Sequence, residues 1–361
     1  MSVELSVHGL TKVHAGQSVA ALDSLDLTVP PGSCTAILGP SGSGKSTALR
    51  LIAGLDSPTA GTVRIDGLEV NGVAAENRGV GMVFQRPMLF PHMSVLDNIG
   101  FAYRAAGESR KRSRERAREY LDLVHLGDIG DRAVSEVSGG QAQRVALARS
   151  LAGSPRVLLL DEPFSALDPV LRTEMHDLVR ELRSTLDQTL LLVTHDQQEA
   201  AVLADSVAVL INGRLEHHSD IATAYTRPST LAVSRLMGGV NEIEGQWDGV
   251  GVHRSELGEL EVDGVSLSAG PAVLLVRHEL ITLNDNGIRG VVSSLRPTGF
   301  RSIADVTVGS TAVRVELAAG SALQVGDSLR LEIPGGARFV VAGRGCGGWQ
   351  SSRSGIQTEL P

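Results

Sequence analysis

Through roughly the first 235 residues, short strand-like apolar runs alternate with stretches of helical periodicity. Thr35 to Leu38, Val80 to Phe84, Val157 to Leu160, Leu190 to Val193 and Val207 to Ile211 read as buried strands. That alternation predicts an α/β sheet. Val80 to Phe84 and Val157 to Leu160 are continuous rather than alternating, the pattern of strands covered on both faces. Met1 to Gly9 alternates polar and apolar as a strand does. Between these runs, Glu108 to Glu119 is rich in Arg and Lys and leads into Tyr120, Leu121, Leu123 and Val124. This predicts a helical subdomain, about residues 86–155, whose basic face is solvated.

After about Asn241 the texture changes to short alternating segments separated by Gly, Asn and Pro. They are Ala272 to Val276, Gly290 to Leu295, Ala304 to Val308, Ala312 to Leu317 and Ser328 to Ile333. Such spacing predicts an all-β barrel or sandwich. The Gly- and Ser-rich end, Gly343 to Pro361, is expected to be mobile. The expected division is residues 1–238 for the α/β part, 239–345 for the β part and 346–361 for a flexible tail.

Composition narrows the setting. The 361 residues, 42% of them hydrophobic, suffice for one large and one small core. Lys and Arg total 33 against 41 Asp and Glu, a net charge of -8 that argues against nucleic acid as the main partner. Cys34 and Cys346 are the two cysteines. With no basic-then-apolar leader at the start, a cytosolic protein with reduced thiols is expected. No apolar run approaches the roughly 20 residues a membrane helix needs. Any membrane role must come through a partner.

Gly39-Pro40-Ser41-Gly42-Ser43-Gly44-Lys45-Ser46-Thr47 has the form G-x-x-x-x-G-K-[ST], after a β-like run and before the helical stretch Ala48 to Ala53. Its glycines let backbone N–H groups turn inward on a phosphate at a helix N-terminus, where the helix dipole adds to the attraction. Lys45 would reach the β- and γ-phosphates and the Ser46 hydroxyl would ligate Mg²⁺. Val157 to Leu160 then ends in Asp161-Glu162. There Asp161 would hold the water shell of the metal and Glu162 would orient and deprotonate an attacking water. ATP and Mg²⁺ are the ligands this pair of motifs predicts, but many kinases, GTPases and ATPases share the phosphate loop.

Val137-Ser138-Gly139-Gly140-Gln141-Ala142-Gln143-Arg144-Val145-Ala146-Leu147-Ala148-Arg149 supplies a second nest of Ser and Gly at a helix start. This segment closely resembles the Leu-Ser-Gly-Gly-Gln signature of ABC transporter ATPases, and the chain resembles the ATPase subunit of an ABC importer. The resemblance implies a P-loop NTPase domain with a helical subdomain, followed by a small OB-like β domain of the TOBE kind. It also implies a head-to-tail homodimer in which each ATP lies between one phosphate loop and the signature, Ser138, Gly139, Gly140 and Gln141, of the other subunit. Gln85 corresponds to the glutamine that contacts Mg²⁺ or the attacking water. Ser165-Ala166-Leu167-Asp168 matches the loop that crosses the dimer interface, with Asp168 near the shared nucleotide. His195 matches the switch histidine at the γ-phosphate. Leu89 to Val95, following Gln85, resembles the stretch that receives two transmembrane permease subunits.

Two positions depart from the family pattern. His14 stands where an aromatic ring usually stacks on adenine, and Val137 replaces the usual signature leucine. Val276-Arg277-His278-Glu279 echoes a Val-Arg-Pro-Glu stretch of the TOBE segments, with His278 in place of proline. The implied activity is ATP hydrolysis on the cytoplasmic face of a membrane. It would energise import of a small polar solute or ion delivered by an extracytoplasmic binding protein. An exporter ATPase or a soluble ABC ATPase is the alternative. The spacing between Ser46 and Ser138 is too short for the coiled coil of repair relatives, and the β domain favours import.

Overall fold

The computed structural model describes residues 2–343 except 240, 300 and 319. Two compact units divide after Ala224. In the first, the chain runs β1 (Leu5–Lys12), β2 (Leu22–Val29), β3 (Cys34–Leu38), α1 (Lys45–Ala53), β4 (Ala60–Ile65), β5 (Leu68–Glu69) and β6 (Val80–Val83). Four helices follow, α2 (Val95–Ile99), α3 (Phe101–Ala105), α4 (Arg110–Leu123) and α5 (Gly139–Ala152). Then come β7 (Val157–Asp161), α6 (Pro169–Leu186), β8 (Thr189–Thr194), α7 (Gln197–Leu203), β9 (Ser206–Ile211) and β10 (Arg214–Asp220), and α8 (Ile221–Thr226) runs across the division.

The main sheet has the order β10-β9-β3-β8-β7-β6, parallel except for the β10 hairpin edge. Its middle strands β3, β7 and β8 are buried along almost their whole length, as strands covered on both faces are. β6 differs from the expectation. It is the edge strand, and of its four residues only Val83 is buried. A second, antiparallel sheet β2-β1-β4-β5 sends Leu5, Val7, Leu25 and Ile65 into one core with Ile37, Leu159 and Leu191 of the main sheet. α1 buries Ala48, Leu49, Leu51 and Ile52 in the same core.

The register of the parallel strands decides where chemistry can occur. Leu38 pairs with Thr194, Asp161 with Val193 and Val83 with Leu160. The carboxyl ends of four strands therefore share one rim, where ligands collect in open α/β sheets.

The helical part packs Val95, Leu96 and Ile99 of α2, Ala117 and Leu121 of α4 and Val145 to Ala148 of α5 into one core. α4 begins at Arg110, capped by the Ser109 hydroxyl. Its basic face is more paired than the charge run implied. Arg110 and Arg114 meet Asp97, and Arg116 meets Glu108 while covering the Tyr103 ring at 3.7 Å.

The second unit continues through α9 (Leu231–Leu236), β11 (Asn241–Trp247), β12 (Val252–Ser255), β13 (Gly258–Glu261) and β14 (Gly270–Val276). It ends with β15 (Thr282–Pro297), β16 (Arg301–Val308), β17 (Thr311–Ala318), β18 (Ser328–Glu332) and β19 (Arg338–Ala342). Two antiparallel sheets, β13-β12-β11-β14-β19 and β17-β16-β15-β18, share one core. In β17 the alternation is plain, with Val313, Val315 and Leu317 buried between wet positions. β11, β12 and β13 escaped the sequence reading because Glu, Gln, Arg and His dominate them.

The boundary falls earlier than the expected residue 238. Arg277 donates two hydrogen bonds to the Tyr225 carbonyl and lies 3.9 Å over its ring, and Leu231 packs against Val273, Leu275 and Val341. These contacts bind the 225–238 segment to the β unit. The tail from 346 lies outside the described residues, as does Cys346. Cys34 is buried, and burial pushes its thiol up to about 12.

Candidate active site

The loop from Gly39 to Gly44 leaves β3 and enters α1 without a side-chain cap, so the first N–H groups of the helix have no side-chain acceptor from the cap residue. Gly44 has φ 101°, and a Cβ there would stand 2.3 Å from the Ala21 carbonyl oxygen. Only glycine fits that turn. Gly39 is excluded from growth by the Leu210 carbonyl oxygen, 2.2 Å from where a Cβ would be.

Lys45 is buried and bends back over the loop, donating to the Gly39 oxygen at 2.8 Å and the Pro40 oxygen at 3.0 Å. Burial lowers its ammonium below the usual lysine range, opposed by the charges of Glu162 and Asp161. Ser43 Oγ is buried with no hydrogen-bond partner. An unsatisfied hydroxyl and a partly desolvated ammonium in one loop are groups an entering anion would relieve. Ser41 and Gly42 lie exposed at the mouth, and Thr47 is half-buried.

Across the rim, Ser46 Oγ donates to Asp161 Oδ1 at 3.0 Å. Burial raises the Asp161 carboxyl, while the hydrogen bond from Ser46 lowers it. Glu162, the next residue, adopts φ 43°, a left-handed backbone that a non-glycine residue holds only where its surroundings impose it. Here its N–H is tied to the Val193 oxygen at 2.9 Å. The Glu162 carboxylate lies 3.2 Å from His195 Nδ1. Gln85 Nε2 donates to Ser165 Oγ at 3.1 Å, and Ser165 Oγ donates to the Glu162 carbonyl oxygen at 3.0 Å. The structure thus gathers Lys45, Ser46, Gln85, Asp161, Glu162 and His195 from four stretches of chain distant in sequence.

The remaining sequence candidates stand apart. Ser138 caps the 14-residue helix α5 in a reciprocal box: Ser138 N–H donates to Gln141 Oε1 at 2.9 Å and Gln141 N–H to Ser138 Oγ at 3.3 Å. Gly140 is buried while Gly139 has open space at its Cα. Among the described residues, no hydrogen bond joins Ser138 to Gln141 with the phosphate loop. Asp168 caps α6, accepting from Val170 and Leu171 N–H groups. His14 is half-buried in the turn after β1.

Sequence reasoning quoted Gln143 and Arg149 but gave them no task. Gln143 donates to the Phe84 oxygen, Ser150 to the Met82 oxygen and Arg149 to the Pro87 and Met88 oxygens. α5 is thereby fastened to the segment around Gln85. Asn98 clasps the Phe90 backbone from its other side, accepting from its N–H at 2.8 Å and donating to its oxygen at 3.1 Å.

Among the described residues, no three His, Cys, Asp or Glu side chains converge as metal ligands. Ser46 and Asp161 instead offer one hydroxyl and one carboxylate oxygen. Such a sparse set suits Mg²⁺, whose remaining positions are filled by phosphates and water. A phosphate cradle at the carboxyl rim of a parallel sheet, flanked by an acid pair, defines a P-loop nucleoside-triphosphate site.

Comparison with known proteins narrows the class. The family model for ABC transporters matches residues 22–165. The sulfate/thiosulfate import ATP-binding protein of Rhodopseudomonas palustris is 39% identical over 330 residues, covering 87% of this chain and 93% of that protein. The Fe(3+) ions import ATP-binding protein of Pasteurella multocida is 41% identical over 268 residues, 74% of this chain and 77% of that one. A solved dimeric ATP-binding cassette, in a post-hydrolysis state with ADP and phosphate, is 33% identical. It covers 60% of this chain and 98% of its own length with a TM-score of 0.55. The chain belongs to the ABC transporter family. It is an ATP-binding, ATP-hydrolysing subunit of the import type. Among its described residues no helix is long and apolar enough to cross a membrane.

Proposed function

We propose that this subunit works as a homodimer on the cytoplasmic face of a membrane, hydrolysing ATP to drive import of a small ion or polar solute through two separate permease subunits. The observation that carries the reading is the 3.2 Å approach of His195 Nδ1 to the Glu162 carboxylate, beside the Ser46–Asp161 pair. Glu162 takes a proton from a water. The oxygen of that water bonds to the γ-phosphorus as the bond from phosphorus to the ADP oxygen breaks. His195 holds Glu162 in place and faces the γ-phosphate, and Gln85 helps orient the water. Mg²⁺, held by Ser46 and Asp161, would supply positive charge against the phosphate oxygens. Lys45 and the backbone N–H groups of the 39–47 loop hold the phosphates.

The capped start of α5, with Ser138 to Gln141, is offered as the face that closes on the ATP of the second copy, and Asp168 as a residue of that interface. Dimeric cassettes of 33% identity support this arrangement. Met88 is exposed, and the Phe90 and Phe101 rings lie tilted against each other with centroids 4.6 Å apart. This apolar spot in the 85–95 segment supports permease docking there. The β unit fits the TOBE-like expectation, in the division 1–238 and 239–345 or at the earlier break after Ala224. The import names of the relatives favour an extracytoplasmic solute-binding protein upstream. Their solutes, sulfate or thiosulfate in one and ferric ions in the other, favour a small inorganic ion.

The test is Glu162→Gln, which removes the base but keeps the shape. The variant should bind ATP as tightly as the parent, lose hydrolysis by about a hundredfold or more and accumulate as an ATP-bound dimer in size-exclusion chromatography. Turnover at the parental rate would remove Glu162 as the base.

A further inference from the structure

Arg172 lies in the first turn of α6, just past the cap Asp168, and its guanidinium faces two loops at once. Nη2 donates to the Leu167 oxygen at 3.2 Å, the end of the Ser165 to Asp168 loop. On the other side, Nη1 is 3.5 Å from Asp196 Oδ2 and Nε 3.9 Å from Glu199 Oε1. Both acids belong to the start of α7, directly after His195. Asp196 is its cap, accepting from Gln198 N–H at 2.7 Å. Two further hydrogen bonds enclose His195: Thr194 Oγ1 donates to Glu199 Oε2 at 2.6 Å and accepts from Asp196 N–H at 2.9 Å. The chain on both sides of His195 is therefore fixed by groups that Arg172 contacts.

Glu199 is 3% exposed, and burial pushes its carboxyl above the usual range against the pull of Thr194 and Arg172. A carboxylate so deep is costly without a cation and a donor, and among the described residues Arg172 is the Lys or Arg side chain within ion-pair distance of it. The pair is not closed. Arg172 Nε is buried and lacks a hydrogen bond, with its nearest carboxylate oxygen at 3.9 Å. A shift of about one ångström in the Leu167 end would bring that contact to hydrogen-bond length or break it.

We propose that Arg172 is a positioning residue that couples the place of the Ser165–Asp168 loop to the orientation of His195, through Glu199 and Thr194. This rests on the reading in which His195 and Glu162 act in hydrolysis. A guanidinium suits the task because its planar fork offers N–H groups in fixed, divergent directions, whereas a lysine ammonium could serve one acceptor side at a time.

The test uses the purified full chain and steady-state ATP hydrolysis across ATP concentrations. The variants are Arg172→Ala, Arg172→Lys, His195→Ala and the double Arg172→Ala/His195→Ala. Arg172→Ala should lower kcat about tenfold while KM for ATP stays within about twofold, since misplacing a group near the chemistry costs rate before binding. Arg172→Lys should recover part of that loss. The double variant should be no slower than His195→Ala alone, because a residue acting only through His195 has nothing left to position. Penalties that multiply, or parental turnover in His195→Ala, would overturn the proposal. If Arg172→Ala fails to fold, Thr194→Val removes one hydroxyl from the same chain of contacts and takes its place in the cycle with the same two outcomes. Glu162→Gln is assayed alongside. Its retention of activity would sink the reading of the base, whereas loss of activity there with multiplying penalties in the cycle would sink the Arg172 relay alone.

Discussion

His195 Nδ1 stands 3.2 Å from Glu162 Oε2, with Glu162 in a left-handed backbone at the end of β7 and His195 just past the end of the neighbouring β8. The parallel pairing of those two strands, Asp161 opposite Val193, brings the two side chains together. Residues 33 apart in sequence become one unit because their strands are neighbours.

That contact sets the first expectation. His195→Ala should lower kcat by about ten- to a hundredfold and leave ATP affinity nearly unchanged, measured by steady-state hydrolysis and by binding of a fluorescent ATP analogue. Weaker binding with unchanged kcat would show that His195 holds nucleotide and does not assist the base.

A shared site makes a second expectation. Ser138→Arg disables the α5 face and Lys45→Ala the phosphate loop, on opposite sides of the proposed interface. Each variant alone should be inactive, while their equimolar mixture should recover about a quarter of the parental rate through dimers holding one intact site. Hydrolysis by the mixture at the level of either variant alone would speak against sites built from two copies.

The third concerns the base. His14 presents a smaller ring than the aromatic residue expected there, so His14→Tyr should tighten ATP binding by roughly threefold through added stacking area. Titration calorimetry with ATP and with GTP would show whether the gain favours adenine. Unchanged affinity would place the adenine contacts elsewhere.

The helical part supplies a pH prediction. The hydrogen bond from Arg110 holds the Asp97 carboxyl at about 2, with Ser94 and the charge of Arg114 assisting and burial opposing. Its folded value lies below the free-carboxylate value of 3.8, so its stabilising contribution is complete above that pH and fades as pH falls toward 2. Asp97→Asn should lower the Tm at pH 7 by about 2–4 °C, and the gap should close between about pH 4 and pH 2. A constant gap across that range would mean that the loss comes from packing and not from charge.

How much of this was legible in the sequence follows from what each signal depends on. The phosphate loop was readable residue by residue because it is local: glycines, lysine and helix start lie within the nine positions Gly39 to Thr47, directly after the strand, and the strained turn at Gly44 admits no other residue. Four of the five strands expected to be buried were equally legible from their apolar runs. Where a strand's two faces have different neighbours, the run misled. Val80 to Val83 is apolar yet half-exposed, since its place at the sheet edge is a property of strand order. The division after Ala224 depends on tertiary contacts too, since Arg277 and Val273 meet Tyr225 and Leu231 only in the folded chain. Glu162 was legible from its place after the apolar strand that ends in Asp161, whereas His195 and Gln85 were named through family resemblance. The pairing of Glu162 with His195, the Ser165 link to Gln85 and the reach of Arg172 to Glu199 depend on parallel register and on the facing starts of α6 and α7. The sequence alone determined the nucleotide-binding loop and the α/β class, whose causes lie within a turn or a strand. Only the tertiary structure decided which acids, hydroxyls and imidazole meet at the rim, since hydrogen bonds across long sequence separations exist only once the sheet has assembled.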